Sequence, residues 1–315
     1  MGRGHGPVPR RRLNALAVYK TGTALAGRLP VSISESLARA AGFAAGYLSP
    51  GRRAMVARHM RRAIGPALTG RQLQRTVNGV FESYGRYWLD SFCLPGLSAA
   101  EVDAGFTPEG YDPHILDGLA AGNGVILALP HLGGWEWAGR WIADQGHPIT
   151  VVVEPLDAPE TFEWFRAMRS SLGMTVVPLG PGAAATVLRA LRANHVVCLL
   201  SDRDIAGGGI PVTFFGETTT LPGGPATLAL RTGAPILPTA VYFTGERNGH
   251  AAIVRPPLPV PGTGRLRDDV AALTQALADE LEGLIRRAPE QWHLLQPNWP
   301  SDPGYGRREG VLAHP

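Results

Sequence analysis

The sequence predicts an α/β fold: a mainly parallel central sheet flanked by helices on both faces, preceded by an N-terminal amphipathic helical region. Three observations carry this prediction. After residue 111, short continuous apolar runs alternate with segments of helical period. Those runs lack the polar-apolar alternation of a half-solvated sheet, so both of their faces are covered. Before about residue 92, the chain shows helical spacing broken by Pro and Gly.

The spacing predicts helices over 31–47, 50–64 and 69–92, the last starting at a Thr69 cap. Phe81, Tyr84, Tyr87, Trp88 and Phe92 recur at three- and four-residue steps in that helix, a stripe that reads first as core. Strands are predicted at 125–129, 149–153, 175–177, 196–200, 236–243 and 251–254. Helices are predicted between them at 135–145, 159–172, 183–194 and 223–232, and a last one at 268–287 follows the Pro-rich linker 256–262. The organisation expected is a flexible basic terminus (1–12), a helical membrane-facing region packed on the core (13–100), the α/β core (101–300) and a flexible tail (301–315). Gly207-Gly208-Gly209 reads as a mobile loop, being too short for a dinucleotide fingerprint.

With 315 residues, 44% of them hydrophobic and 18% charged, the chain can bury a substantial core. Two cysteines, Cys93 and Cys198, form no Cys-x-x-Cys pair, so neither a zinc site nor a disulfide framework is expected. No run approaches the ~20 apolar residues of a membrane span. The apolar stretch 13–19 after Arg10-Arg11-Arg12 is too short for a signal peptide. The single lysine, Lys20, excludes a phosphate-loop or Schiff-base lysine further along.

The net charge of +4 is segregated. Residues 1–75 hold fourteen basic side chains and one acid, Glu35, a local charge of +13 that leaves −9 for the rest. Such a region suits an anionic surface. The apolar positions Leu13, Leu16, Ala17 and Leu37, Ala40, Ala41, Ala44 fit helices lying on a membrane, though a solvated helical face reads the same way.

Ligands of a parallel sheet gather beyond the carboxyl ends of its strands. There stand His131 after the first strand, Glu154 after the second, and Ser201-Asp202-Arg203-Asp204 after the fourth. Glu136, five residues beyond His131 and in the first turn of a helix, is placed to fold back on the imidazole. One ring nitrogen would then donate to the carboxylate while the other takes a proton from an attacking hydroxyl. No Gly-x-Ser-x-Gly elbow is present, which disfavours a serine hydrolase, and no ligand spacing around His131 suggests a metal. By spacing alone, Glu136 could equally be a helix-start carboxylate beside an unrelated histidine.

The run Pro130-His131-Leu132-Gly133-Gly134-Trp135-Glu136 resembles the His-x4-Asp/Glu motif of the lysophospholipid acyltransferase superfamily, in the branch of lipid A and actinobacterial phosphatidylinositol mannoside acyltransferases. Further blocks resemble that branch in order: Val153-Glu154-Pro155-Leu156, Trp164 to Arg169, Ser201 to Asp204, Pro211 to Gly216, Gly224 to Ala229 and Pro289 to Pro297. The ending Trp292-His293-Leu294-Leu295-Gln296-Pro297 is similar to the mannoside enzymes. The resemblance implies transfer of a long acyl chain, palmitoyl by expectation, from acyl-CoA as co-substrate to a mannose 6-hydroxyl of a phosphatidylinositol mannoside, with no cofactor, at the cytoplasmic face of the membrane. Relatives in the branch mostly carry Asn where Gly134 stands. The alternatives are a lipid A-type or other phospholipid acyltransferase, and a non-catalytic membrane-binding protein; no nucleic-acid motif is present.

Arg169 matches the family arginine that supports the site, with Arg166 its competitor for CoA phosphates or site carboxylates. An ordinary surface ion pair is the other reading, more so for Arg166. Asp202, Arg203 and Asp204 form either a buried network beneath His131 or a self-satisfied turn, and Glu154 is a third candidate acid. Trp135, with Trp137 and Trp141, lines an acyl slot or packs the core. His293 sits in the terminal block without an assigned chemistry.

Overall fold

The computed structural model describes residues 31–155, 159–246 and 248–306. The Arg10-Arg11-Arg12 run, the 13–19 stretch and residues 307–315 of the tail lie outside the described residues.

Three helices come first: α1 (Val31–Tyr47), α2 (Pro50–Ile64) and α3 (Gly70–Cys93). Pro50 opens α2, where its missing N–H would have had no partner anyway. Thr69 takes the N-cap position of α3 with extended backbone, but its side chain makes no cap bond. Helix α1 lies on α3 through glycines. A Cβ at Gly42 would collide with the carbonyl oxygen of Phe81, and one at Gly85 with that of Ala38. Backbone therefore meets backbone, and the bulky side chains of α1 turn outward. Ile33, Leu37, Phe43, Tyr47 and Leu48 are all exposed, as are Ala40, Ala41 and Ala44. Among the described residues no helix is long and apolar enough to cross a membrane.

After the short helix α4 (Ala99–Ala104), a seven-stranded sheet has the order β1 (Phe106–Glu109), β9 (His250–Val254), β8 (Ile236–Phe243), β2 (Val125–Leu129), β5 (Val196–Leu200), β3 (Ile149–Val153), β4 (Met174–Pro178). Every neighbouring pair is parallel except β8 with β9. The six predicted strands are present within a residue at each end. Strand β1 was not predicted: four residues, Pro108 and a mostly solvated face give an edge strand no apolar signature. The hairpin β6 (Ile210–Phe214) and β7 (Glu217–Leu221) was not predicted either. Phe215 and Gly216 both have positive φ, the conformation a two-residue hairpin turn requires.

Side chains of β2 divide by parity, as the pleat demands. Val125, Leu127 and Leu129 meet Trp137, Trp141 and Ile142 of α6 (Trp135–Asp144) and Phe165, Met168 of α7 (Pro159–Ser171). Ile126 and Ala128 join the opposite core, with Val187 and Leu191 of α8 (Ala183–Arg192), Leu228 of α9 (Gly224–Thr232) and Leu277, Leu281 and Leu284 of α10 (Leu266–Arg287). Each fully buried Leu there stabilises the fold by about 1.5–3 kcal/mol. The short helix α5 (Asp117–Ala120) leads into β2.

Candidate active site

Strand register brings the first two functional side chains together. Parallel β2 and β5 pair with Leu129 opposite Leu200, and the Ser201 N–H donates to the Leu129 carbonyl at 2.7 Å. Two residues past each partner stand His131 and Asp202, side by side at the strand mouth. Asp202 Oδ1 lies 2.6 Å from Nδ1 of His131, and Oδ2 accepts from the His131 N–H at 3.0 Å and from the Trp292 indole at 2.7 Å. Burial pushes the Asp202 carboxyl up. The His131 ring and these donors outweigh burial and hold it below the ordinary value. With Nδ1 engaged, Nε2 of His131 is the nitrogen that can take a proton, and the half-buried ring can be reached.

The expected bond between His131 and Glu136 is therefore corrected. Glu136 is buried, and its carboxylate is claimed by the Arg169 guanidinium, with Nη2 at 2.5 Å and Nε at 2.9 Å from Oε1. The Tyr87 hydroxyl donates to the same oxygen at 3.2 Å. Although burial alone would lower it, the charge of Glu136 keeps the Arg169 pKa above its usual value. Burial first, and Glu136 second, push the Tyr87 phenol well up, so it remains a donor. Arg169, paired with Glu136, stands at the wall of the site cavity. Arg166 does not: it pairs with Glu163 at 2.6 Å on the open face of α7.

His131, Glu136, Arg169, Glu154, Arg203, Asp204 and Trp135 all line one cavity of about 550 Å³. Its apolar walls continue through Leu127, Leu129, Trp141, Met174 and Val254, beneath the sheet on the α6 side. Trp135 and Trp141 belong to this wall, while Trp137 is core, stacked on His250 at 4.2 Å. The aromatic stripe of α3 likewise divides, Phe81 joining the core and Tyr84, Tyr87 and Trp88 facing the cavity. Cys198 also lines it, but burial, with the Glu136 charge, pushes its thiol up to about 12, which removes it as a nucleophile. The Asp204 carboxylate accepts from Gly207 N–H at 3.0 Å and Gly209 N–H at 2.7 Å across the glycine run.

The loop between Pro130 and α6 needs its glycines. Gly133 has φ +61°, and a Cβ there would strike the carbonyl oxygen of Val241. A Cβ on Gly134 would come within 2.6 Å of Cδ2 of His250. Tyr87, Trp292 and His293 escaped the sequence reading as site residues. His293 lines the cavity beside His131, donates its N–H to the His131 carbonyl at 2.7 Å, and is pushed down to about 3 by burial and by the His131 charge. Among the described residues no group of three His, Cys, Asp or Glu could hold a metal.

A profile of the bacterial lipid A biosynthesis acyltransferase family matches residues 10–301. The chain belongs to this family. The acyltransferase is 41% identical over 234 residues to a phosphatidylinositol mannoside acyltransferase of Mycobacterium tuberculosis, covering 72% of this chain and 71% of that one. It is 36% identical over 267 residues to one of the same name from Mycolicibacterium smegmatis, covering 80% and 85%. A lipid A biosynthesis acyltransferase of Haemophilus influenzae is 27% identical over 183 residues, 57% of this chain and 54% of its own. For an acyltransferase, a reachable Nε2 above a buried carboxylate can deprotonate a hydroxyl as it attacks an acyl carbonyl. An apolar cavity at the same mouth can hold the chain being moved.

Proposed function

We propose that this acyltransferase moves a long acyl chain, palmitoyl in the first instance, from acyl-CoA to the 6-hydroxyl of a mannose on phosphatidylinositol mannoside. The observation that carries the acceptor is the run of relatives at 36–41% identity that bear the name phosphatidylinositol mannoside acyltransferase. In this reading Nε2 of His131 takes the proton of the mannose hydroxyl as its oxygen attacks the thioester carbonyl. Asp202 stabilises the imidazolium so formed, and CoA leaves as the thiol once the proton is returned to its sulfur. The apolar arm beneath the sheet takes the acyl chain. The Glu136–Arg169–Tyr87 cluster holds the wall beside the base.

The protein works at the cytoplasmic face of a membrane in this reading, seated by the exposed apolar face of α1 and the exposed arginines Arg39, Arg61, Arg71 and Arg75 against anionic lipid. Purified protein, palmitoyl-CoA and a panel of acceptors test the proposal by product mass spectrometry. Acyl transfer to phosphatidylinositol mannosides is expected, and transfer to lipid A precursors or simple lysophospholipids alone would replace the acceptor. His131→Ala is expected to cost about 10²–10⁴ in turnover with the fold intact; near-normal turnover removes His131 as base.

A further inference from the structure

The segment after α10 touches the pair His131–Asp202 repeatedly. Gly133 donates its N–H to the Gln291 carbonyl at 3.0 Å, and His293 donates to that of His131 at 2.7 Å, so residues 291–293 bridge residues 131–133 in antiparallel fashion. Asn298 Nδ2 donates to the Asp202 backbone carbonyl at 3.0 Å. Between these bonds the Trp292 indole reaches Oδ2 of Asp202.

Trp292 is fully buried, and its ring is fixed by Phe215 at 5.5 Å, His59 at 5.6 Å and Trp299 edge-on at 6.4 Å. An indole N–H can only donate, so the bond runs in one direction. It falls on the oxygen that does not hold the His131 ring, leaving Oδ1 aimed at Nδ1. Asp202 is itself fully buried, and a buried carboxylate that loses a donor is left partly uncompensated.

We propose that Trp292 is a positioning residue for acyl transfer: its indole N–H fixes the Asp202 carboxylate in the orientation that meets His131 and tempers that carboxylate's pull on the imidazole proton. This inference rests on the reading of His131 as the base. Without the indole donor, negative charge concentrates on Asp202 and the imidazolium is held more strongly. The limb of the rate profile that requires neutral His131 then moves to higher pH.

The test uses the full-length chain. Trp292→Phe is expected to move the acid limb of kcat/KM up by about half a unit to one unit. A lowered plateau with an unmoved limb is what packing alone would produce, and it overturns the proposal. Should the Phe variant fail to fold, site-specific incorporation of 3-benzothienylalanine at 292 keeps the ring shape without the N–H and decides the question by the same profile. Nitrogen NMR of the His131 ring without substrate reads the same shift independently of turnover. An unmoved midpoint there overturns the Trp292 link alone. A moved midpoint alongside near-normal turnover of His131→Ala overturns the base reading, and with it Trp292's part in transfer.

Discussion

Asp202 reaches Nδ1 of His131 at 2.6 Å from seventy-one residues away in the chain, because parallel strands β2 and β5 end in register beside each other. A carboxylate there fixes the tautomer that leaves Nε2 free to accept a proton; an amide does not. Asp202→Asn is therefore expected to lower kcat by about 10²–10⁴ with KM changed little. Steady-state kinetics on the folded variant checks this, and a loss below threefold would remove Asp202 from the mechanism.

Glu136 holds a different position, as the partner of the Arg169 guanidinium, which is itself mostly buried. Glu136→Gln leaves that cation without its counter-charge, at a cost of about 3 kcal/mol. For a chain of this length the thermal midpoint should fall by roughly 4–5 °C. The acid limb of kcat/KM should stay where it was, since the His131 imidazole keeps Asp202. A moved limb with unchanged melting would instead return Glu136 to the imidazole.

Much of this was legible in the sequence, and the remainder has particular causes. The apolar runs located six sheet strands, the central ones buried on both faces, and the blocks ending at Glu136 and at Arg169 marked residues that share one cavity. The partner of His131 was misread because spacing shows only neighbours along the chain. Aligning 125–129 with 196–200 as adjacent parallel strands would have set 131 opposite 202, but strand order is a tertiary property. Trp292 and Tyr87 were invisible for the same reason: their polar atoms become meaningful only where helices and the terminal block converge.

Gly134 faces a fixed neighbour. Nε2 of His250 lies 2.8 Å from Asp90 and its Nδ1 2.9 Å from the Asn248 carbonyl, while Trp137 covers the ring, so the imidazole has no room to retreat. Gly134→Ala should destabilise the fold by about 1–3 kcal/mol through overpacking. In a His250→Ala background the same change should cost much less. A denaturant double-mutant cycle reads the coupling, and strict additivity would show that the two sites do not compete for space.

His293 gives the fold a pH dependence. Its folded-state value, about 3, lies below the unfolded value of roughly 6.5. The unfolded chain therefore binds this proton more readily, and stability falls as pH drops below about 6.5 toward the folded value. Between pH 7 and pH 5 this one group removes about 2 kcal/mol. A His293→Gln variant should show a correspondingly smaller loss over the same interval in urea unfolding; equal slopes would mean that the ring titrates normally.

Gly139 sits on α6 where the apolar arm runs beneath the sheet, and a Cβ there would meet Met174 Cε at 2.7 Å and Sδ at 3.1 Å. The obstacle is the free end of a flexible side chain that also lines the cavity, so a larger residue is accommodated by filling the arm and not by breaking the core. Gly139→Val therefore shortens the space available to an acyl chain by two or three carbons. Each methylene displaced forfeits about 0.8 kcal/mol, so kcat/KM for palmitoyl-CoA should fall by about 10–60-fold. Lauroyl-CoA, whose tail ends before the obstruction, should keep its rate within about threefold. A uniform loss across chain lengths would place the acyl chain elsewhere, and competition between the two donors, read by product mass, separates the outcomes.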